Sequence, residues 1–177
     1  MNNIFNNDDY NSNDGMLTYV WGPALWHSLH TISFNYPVKP TKEQQKYYLE
    51  FFTSLKNILP CKYCREGYEK NLKILPLTTK QLKNRETFSR WVYEMHELVN
   101  KNLGKKSNLS YEDVRYRYEH FRSRCLVDPK QNKENNKKEK GCTEPLYGIK
   151  SKCIISIVPK DSKQDTFKMD KKCNFKK

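Results

Sequence analysis

The order of apolar and polar residues divides the 177-residue chain into three parts. Residues 1–15 are mostly Asn, Asp and Ser without an apolar period, which is typical of disordered segments. Between residues 16 and 125, apolar side chains recur every three or four positions, as they do on amphipathic helices. Residues 126–177 are again charged and rich in lysine. We therefore predict one helical domain at 16–125, preceded by a disordered segment and followed by a basic, mostly disordered tail.

Two apolar stripes define the central helices of this domain. Thr41 and Gln44 form a capping-box pattern, which marks the start of the first of these helices. Gly104 is a natural residue to follow a helix end, and it predicts the end of the second. The stripes are Tyr48, Phe51, Phe52, Leu55 and Leu59 on the first helix, and Phe88, Trp91, Val92, Met95 and Val99 on the second.

Three further helices complete the predicted domain. The apolar pattern places two of them at about 21–35 and 61–75. Ser110 and Asp113 form another capping-box pattern, which opens a last helix running through roughly Cys125. The alternating pattern of a half-buried strand does not occur in this region. The fold class that we predict is all-α, with five helices in a bundle.

Composition and charge restrict the function only weakly. The formal net charge is +13 and the mean hydropathy is −0.97, so a well-solvated surface is expected. No base-reading motif accompanies the basic charge, which disfavours nucleic acid as the main partner. The polar, acidic N-terminus is the reverse of a signal or transit peptide. Because the apolar run at 153–158 is too short to cross a bilayer, we expect a soluble chain without a membrane span.

The stretch ILPCKYCREGY contains the closely spaced cysteines Cys61 and Cys64. A structural zinc site would need a second close pair of Cys or His ligands, which the chain lacks, so no metal is predicted. A thioredoxin-type motif would follow a buried strand, but here the preceding stripe is helical. A pair of ordinary core cysteines is compatible with the spacing alone. Of the three alternatives for this motif, a metal half-site is thus disfavoured, and a redox dithiol and a structural pair remain open.

The residues around the two cysteines favour the redox alternative. We expect Pro60 in the first turn of a new helix and Cys61 at the helix N-terminus, where the helix dipole stabilises a thiolate. Cys64 lies one turn further on the same face, within reach of a disulfide. Lys62 and Arg65 add positive potential. This arrangement indicates a dithiol that cycles, and such a dithiol needs an electron acceptor.

Two other predicted helices offer a binding site for an acceptor. Gly22, Trp26 and His30 are spaced by four residues and share one helix face. His96 and Asn100 have the same spacing on a later helix. Taken singly, each histidine is more often an ordinary core or surface group. Together with a nearby dithiol, however, these side chains could supply the stacking surfaces and ring hydrogen bonds that a planar flavin needs.

Three stretches in this order resemble the signatures of the Erv/ALR family of FAD-linked sulfhydryl oxidases. They are WGPALWHSLHTISFNYP at 21–37, LPCKYC at 59–64 and WVYEMHELVNKNLGK at 91–105. The resemblance covers about residues 16–125. It implies a four-helix bundle with a short fifth helix, a homodimer, and FAD as the cofactor.

The resemblance also implies site residues and one departure. The cofactor-binding residues implied are Gly22, Trp26, His30, His96, Asn100 and Lys105, together with Arg117 and Tyr118 in VRYRY, which resembles the family's V-x-x-R-W. Glu97 stands where the family usually has Asn. Many members have a structural disulfide between the position of Tyr93 and one near Ser110 or Tyr111, where this chain has no cysteine. The shorter viral members are similar in this respect, so a large DNA virus is the expected source, with the host cytoplasm or the virion as the expected location.

The function that follows from the resemblance is disulfide formation in protein thiols. Cys61 would exchange with the incoming thiols, and Cys64 would face the flavin. Electrons would pass from this dithiol to FAD and then to O2, giving H2O2. The alternatives are a catalytically silent Erv-like binding or scaffold protein and a basic nucleic-acid-binding protein.

The tail carries cysteines that could relay electrons. Members of the family often use a second, mobile cysteine pair outside the bundle. Here the candidates are Cys125, Cys142, Cys153 and Cys173, which are widely spaced. Loop-closure entropy grows only slowly with length, so such spacings permit pairing. We predict Cys142 and Cys153 as the shuttle pair.

Overall fold

The computed structural model describes residues 6–123, 141–159, 161–164 and 169–173. Its chain contacts divide it into two compact units, with the division between Ser107 and Asn108. The domain bounds at 16–125 stay a prediction.

The first unit is built from helices. They are α1 (Asn7–Asn11), α2 (Thr18–Phe34), α3 (Lys42–Ile58), α4 (Lys62–Ile74) and α5 (Arg85–Asn102), with a short 3-10 helix at Gln81–Lys83. Helix α5 packs against α2 and α4, and α3 packs against α4. Helix α1 lies in the segment predicted to be disordered, has a capping box at Asn6, and buries none of its residues.

The described residues of the second unit form α6 (Tyr111–Glu119), a 3-10 helix at Lys171–Cys173, and an antiparallel bridge between Ser123 and Pro145. The described residues form no strand in either unit, which confirms the all-α prediction. Among these residues, no helix combines the length and the apolar composition needed to cross a bilayer.

Local rules account for most helix ends. The predicted boxes at Thr41 and Ser110 are both formed, since each side chain accepts the N–H of the third following residue. Helix α5 ends in a Schellman motif, in which Gly104 N–H donates to Lys101 and Lys105 N–H donates to Asn100. Gly104 has a φ of +65°, a conformation that glycine adopts without strain. The predicted end at Gly104 is therefore confirmed.

Two predicted bounds are wrong. Helix α2 begins at Thr18, earlier than expected, and its N-cap Leu17 provides no side-chain cap that could have marked the start. Helix α6 ends at Glu119 and does not reach Cys125. There the N–H groups of Phe121 and Arg122 bond to carbonyls three residues back, which tightens the last turn and ends the helix.

The core of the first unit is strongly aromatic. Phe52, Phe88 and Trp91 pack in edge and stacked contacts, and each is at most 1% exposed. Full burial of a large apolar side chain such as Phe contributes about 1.5–3 kcal/mol to the free energy of folding. The predicted stripe on α3 is wrong at Phe51, which is 41% exposed. The other fully enclosed members of the core are Tyr36, Leu82, Val92 and Met95.

Candidate functional site

The α3–α4 junction presents Cys61 at the start of a helix. Cys61 is the N-cap of α4, and its Sγ accepts the N–H of Cys64 at 3.2 Å. Pro60 lies before the cap, so its predicted place in the first helical turn is wrong. The Arg65 side chain donates to the Leu59 carbonyl at 2.6 Å, which ties the turn to the end of α3. The Cys61 sulfur is thus fixed at the positive end of the α4 dipole.

The two thiols differ in acidity. Burial raises the pKa of Cys61, but hydrogen bonds from the Cys64 side chain and backbone, from Thr18 and from the Tyr63 backbone outweigh it, so the pKa lies below its ordinary value. Burial and the hydrogen bond to Cys61 raise the pKa of Cys64. In the reduced pair, Cys61 is therefore the more acidic thiol, and Cys64 is the thiol that donates a hydrogen bond to it.

Thr18 is a site residue that the sequence analysis missed. Its Oγ1 lies 3.7 Å from the Sγ of Cys64, although the two residues are 46 positions apart. The only sequence signal available was its spacing of four from Gly22, which extends the face of α2 that carries Trp26 and His30.

The segment before α2 runs along the cysteine turn. Met16 N–H donates to the Pro60 carbonyl at 2.8 Å. Gly15 lies so close that an added Cβ would be 2.8 Å from the Pro60 oxygen and 3.2 Å from the Cys61 Cα. The Trp21 indole donates to the Met16 carbonyl at 3.0 Å. These contacts hold the start of α2 against the start of α4.

A cluster of aromatic rings joins α2 to α5. The rings of Trp26 and His96 are stacked, with centroids 4.0 Å apart and planes 6° apart. His30 Nε2 lies 3.0 Å from His96 Nδ1, at hydrogen-bond distance. Burial lowers the pKa of His96 to about 4, with the nearby charges of Glu97 opposing and Lys105 assisting. His96 is therefore neutral at physiological pH.

Polar groups extend this cluster toward the end of α5. Asn100 Nδ2 donates to the Glu97 carboxylate at 3.0 Å. Glu97, which stands where the family usually has Asn, therefore contacts a predicted site residue directly. The Lys105 ammonium lies 5.0 Å from the ring centroid of Tyr19 in α2. Tyr19 was also missed by the sequence analysis.

Gly22 leaves room between the cysteines and the rings. It is buried, and a Cβ there would meet only the Thr18 methyl group within 4 Å, at 3.6 Å. Thr18 and Trp26 lie one turn away on either side of it along α2.

The remaining predicted site residues belong to the second unit. Arg117 and Tyr118 lie on α6, and burial raises the pKa of Tyr118. Cys142 is disulfide-bonded, whereas Cys153 is an exposed free thiol, so these two cysteines are not joined to each other here. A shuttle role for them stays a prediction. Cys125 lies outside the described residues.

The donor set suits a flat, conjugated and anionic cofactor. Trp26, His30 and His96 offer ring surfaces and imidazole nitrogens, and the Asn100 amide can both donate and accept. Lys105 supplies a positive charge. Glu97 is the member that disfavours an anion, because its carboxylate repels like charge.

Comparison with known proteins shows which family this chain resembles. The model of the Erv1/Alr family matches residues 23–122. A probable FAD-linked sulfhydryl oxidase of Acanthamoeba polyphaga mimivirus is 38% identical over 94 residues, which cover 53% of this chain and 65% of that protein. The FAD-linked sulfhydryl oxidase of African swine fever virus is 31% identical over 99 residues, covering 56% of this chain and 80% of the viral protein.

A solved structure is also similar. The FAD-binding domain of Erv1 from Saccharomyces cerevisiae matches with a TM-score of 0.53 and 28% identity, covering 58% of this chain and 94% of that domain. The chain spans only 42% of the FAD-linked sulfhydryl oxidase ERV1 of Arabidopsis thaliana, and less than two thirds of the mimivirus protein. The family model nevertheless matches more than half of the chain, and the chain therefore belongs to the Erv1/Alr family.

Proposed function

We propose that this protein is an FAD-dependent sulfhydryl oxidase that forms disulfide bonds in protein thiols. The observation that carries the proposal is that one helix, α2, serves both halves of the chemistry. Thr18 touches the dithiol, and Trp26 and His30 form the ring cluster two and three turns further on. The names of the viral, plant and yeast relatives support the same activity and the same cofactor.

The side chains would divide the work as follows. Trp26, His96 and His30 provide the ring surfaces for FAD, while Asn100 and Lys105 contact its polar and anionic groups. Bound FAD supplies the redox chemistry, accepting an electron pair from the dithiol and passing it to O2 to give H2O2. Arg117 and Tyr118 are proposed as further contacts on the strength of the family motif.

Disulfide exchange takes place at Cys61. A substrate thiolate attacks the Cys61 sulfur of the Cys61–Cys64 disulfide, and Cys64 leaves as a thiolate. A second substrate thiolate then attacks the substrate sulfur of the mixed disulfide and releases Cys61. The N-cap position favours this release, because the Cys64 N–H already points at the Cys61 sulfur. Two substrate thiols are thereby oxidised to a disulfide, and the enzyme's disulfide is reduced.

The partners in this proposal are reduced protein thiols and O2, with a homodimer as the expected assembly. Viral relatives make the host cytoplasm or the virion the expected location. The silent scaffold and the nucleic-acid-binding protein are not favoured, because the dithiol keeps two free thiols of different acidity.

The test is thiol-driven oxygen consumption by the purified full-length chain loaded with FAD. With a small dithiol, the wild type should consume O2 and release an equal amount of H2O2. Cys61→Ser and Cys64→Ser should reduce both by orders of magnitude, while Cys173→Ser, remote in sequence from the site, should not. A flavin-loaded wild type that consumes no oxygen with small or protein thiols would refute the proposal.

A further inference from the structure

The hydroxyl of Thr18, an exposed residue at the start of α2, lies beside a reacting sulfur. Thr18 is the first residue of α2, two positions after Met16 in the segment that packs on Pro60 and Cys61. Its Oγ1 is 3.7 Å from Cys64 Sγ, within the range of hydrogen bonds to sulfur. Backbone contacts of Gly15 and Met16 with Pro60 and Cys61 thus bring the start of α2, and with it Thr18, against the cysteine turn.

Helix capping does not explain this placement. A Thr at a helix start usually serves as the N-cap and accepts a backbone N–H. In α2 the N-cap is Leu17, and the cap makes no side-chain hydrogen bond. The Thr18 hydroxyl instead faces the dithiol, where it lies 3.7 Å from Cys64 Sγ and also lowers the pKa of Cys61 through a hydrogen bond.

We propose that Thr18 is a further catalytic residue, whose hydroxyl donates a hydrogen bond to Cys64 and stabilises it as the departing thiolate. This inference rests on the proposed function. When a substrate thiolate bonds to Cys61, the Cys61–Cys64 bond breaks and its electron pair stays on the Cys64 sulfur. No proton is transferred, because the Thr18 hydroxyl keeps its proton and donates it only as a hydrogen bond.

The groups around Cys64 act on its pKa in opposite directions, so a hydrogen-bond donor can contribute to stabilising its thiolate. Burial and the neighbouring Cys61 raise the pKa of Cys64, whereas Thr18 and the charge of Arg65 lower it. The guanidinium of Arg65 is itself bonded to the Leu59 carbonyl. Among the described residues, Cys61 and Arg65 are the titratable or charged groups that act on Cys64. Since a thiol of lower pKa leaves faster, a donor at Cys64 accelerates the exchange.

The test measures the acidity of Cys64 directly. In full-length protein carrying Cys61→Ser, alkylation of Cys64 by iodoacetamide is followed against pH, with the Cys64 peptide quantified by mass spectrometry. Adding Thr18→Val, which keeps the shape and removes the donor, should raise the midpoint by about one pH unit, as expected for a lost hydrogen bond to a charged group. Thr18→Ser should restore it.

A second test measures the rate of disulfide exchange in protein that keeps both Cys61 and Cys64. Reduction of the Cys61–Cys64 disulfide by a small dithiol should be several-fold slower in Thr18→Val than in the wild type or Thr18→Ser. Equal midpoints and equal rates in all three would overturn the inference. If Thr18→Val fails to fold, as judged by circular dichroism, Thr18→Ala carries the same comparison.

Failure of this inference and failure of the proposed function are distinguishable. An active wild type whose Cys64 midpoint does not respond to Thr18→Val would retain the oxidase function and remove Thr18 from it. An inactive wild type would remove the oxidase function regardless of the midpoint.

Discussion

The ring of Trp26 lies face to face with the ring of His96, with 4.0 Å between their centroids and 6° between their planes. This stack crosses from α2 to α5, two helices that pack against each other. The same two rings belong to the proposed FAD site. Cofactor binding and the docking of these helices therefore depend on shared side chains.

Trp26→Ala should reduce FAD content and stability together. It removes a ring that stacks on His96 and half-buried apolar area, so the loss should be smaller than the about 3–5 kcal/mol of a fully buried Trp. The checks are the flavin-to-protein ratio and urea unfolding. Trp26→Phe, which keeps a ring, should retain most of both. Normal flavin content in Trp26→Ala would show that this ring does not face the cofactor.

Gly22→Ala should stabilise the cofactor-free protein yet weaken FAD binding. The new methyl group would make an ordinary 3.6 Å contact with Thr18, and alanine in a helix is favoured over glycine by about 1 kcal/mol. The methyl group would also fill space beside the proposed cofactor. Gly67→Ala in α4 is the matched control, because nothing lies within 4 Å of its Cβ position. Equal FAD affinity in both variants would place Gly22 away from the cofactor.

The free energy of unfolding of the cofactor-free protein should decrease as the pH is lowered through one defined window. The pKa of His96 is about 4 in the folded protein, against 6.5 for an unperturbed histidine. Between these values the unfolded chain binds the proton and the folded protein does not, so acidification favours unfolding. The loss begins near pH 6.5 and is complete below about pH 4.

The measurement for His96 is urea unfolding at several pH values. His96→Gln should flatten the dependence across the window, since glutamine does not titrate. Burial also lowers the pKa of His27, so His27→Gln should flatten it to a smaller extent. If the His96 variant kept the full slope, another group would be responsible for it.

Glu97→Gln should strengthen FAD binding several-fold. The carboxylate accepts a hydrogen bond from Asn100 and carries a charge of the same sign as the FAD pyrophosphate. Glutamine removes the charge and keeps a hydrogen-bonding oxygen. Glu94→Gln, an exposed change on the same helix, is the control. Fluorescence titration of the cofactor-free protein gives the affinities, and weaker binding in Glu97→Gln would reverse this interpretation of the residue.

Local signals explain what the sequence could predict. Thr41, Ser110 and Gly104 act through hydrogen bonds to residues a few positions away. Their roles can therefore be predicted from short sequence stretches. The signature stretches likewise led to the family and the all-α fold. The start of α2 was missed because Leu17 caps the helix without a side-chain bond.

Contacts between residues far apart in the chain explain which features the sequence could not predict. Thr18 contacts Cys64, which is 46 positions away, and Gly15 packs against the backbone of Cys61. Neither contact follows from a recognisable sequence pattern. A polar segment such as 1–15 predicts disorder by composition, yet its last residue, Gly15, packs against the cysteine turn. The contact of Thr18 with the dithiol also lowers the pKa of both Cys61 and Cys64, which no short stretch of sequence could indicate.

The most direct test of the oxidase proposal is anaerobic reduction of the bound flavin by a small dithiol. Cys64→Ser should retain bound FAD, because other side chains build the proposed pocket. In the wild type, the visible flavin absorbance should bleach on addition of the dithiol and return when air is admitted. In Cys64→Ser the absorbance should stay unchanged over the same period. Equal bleaching in the two proteins, or a wild type that binds no flavin, would contradict electron transfer from this dithiol to FAD.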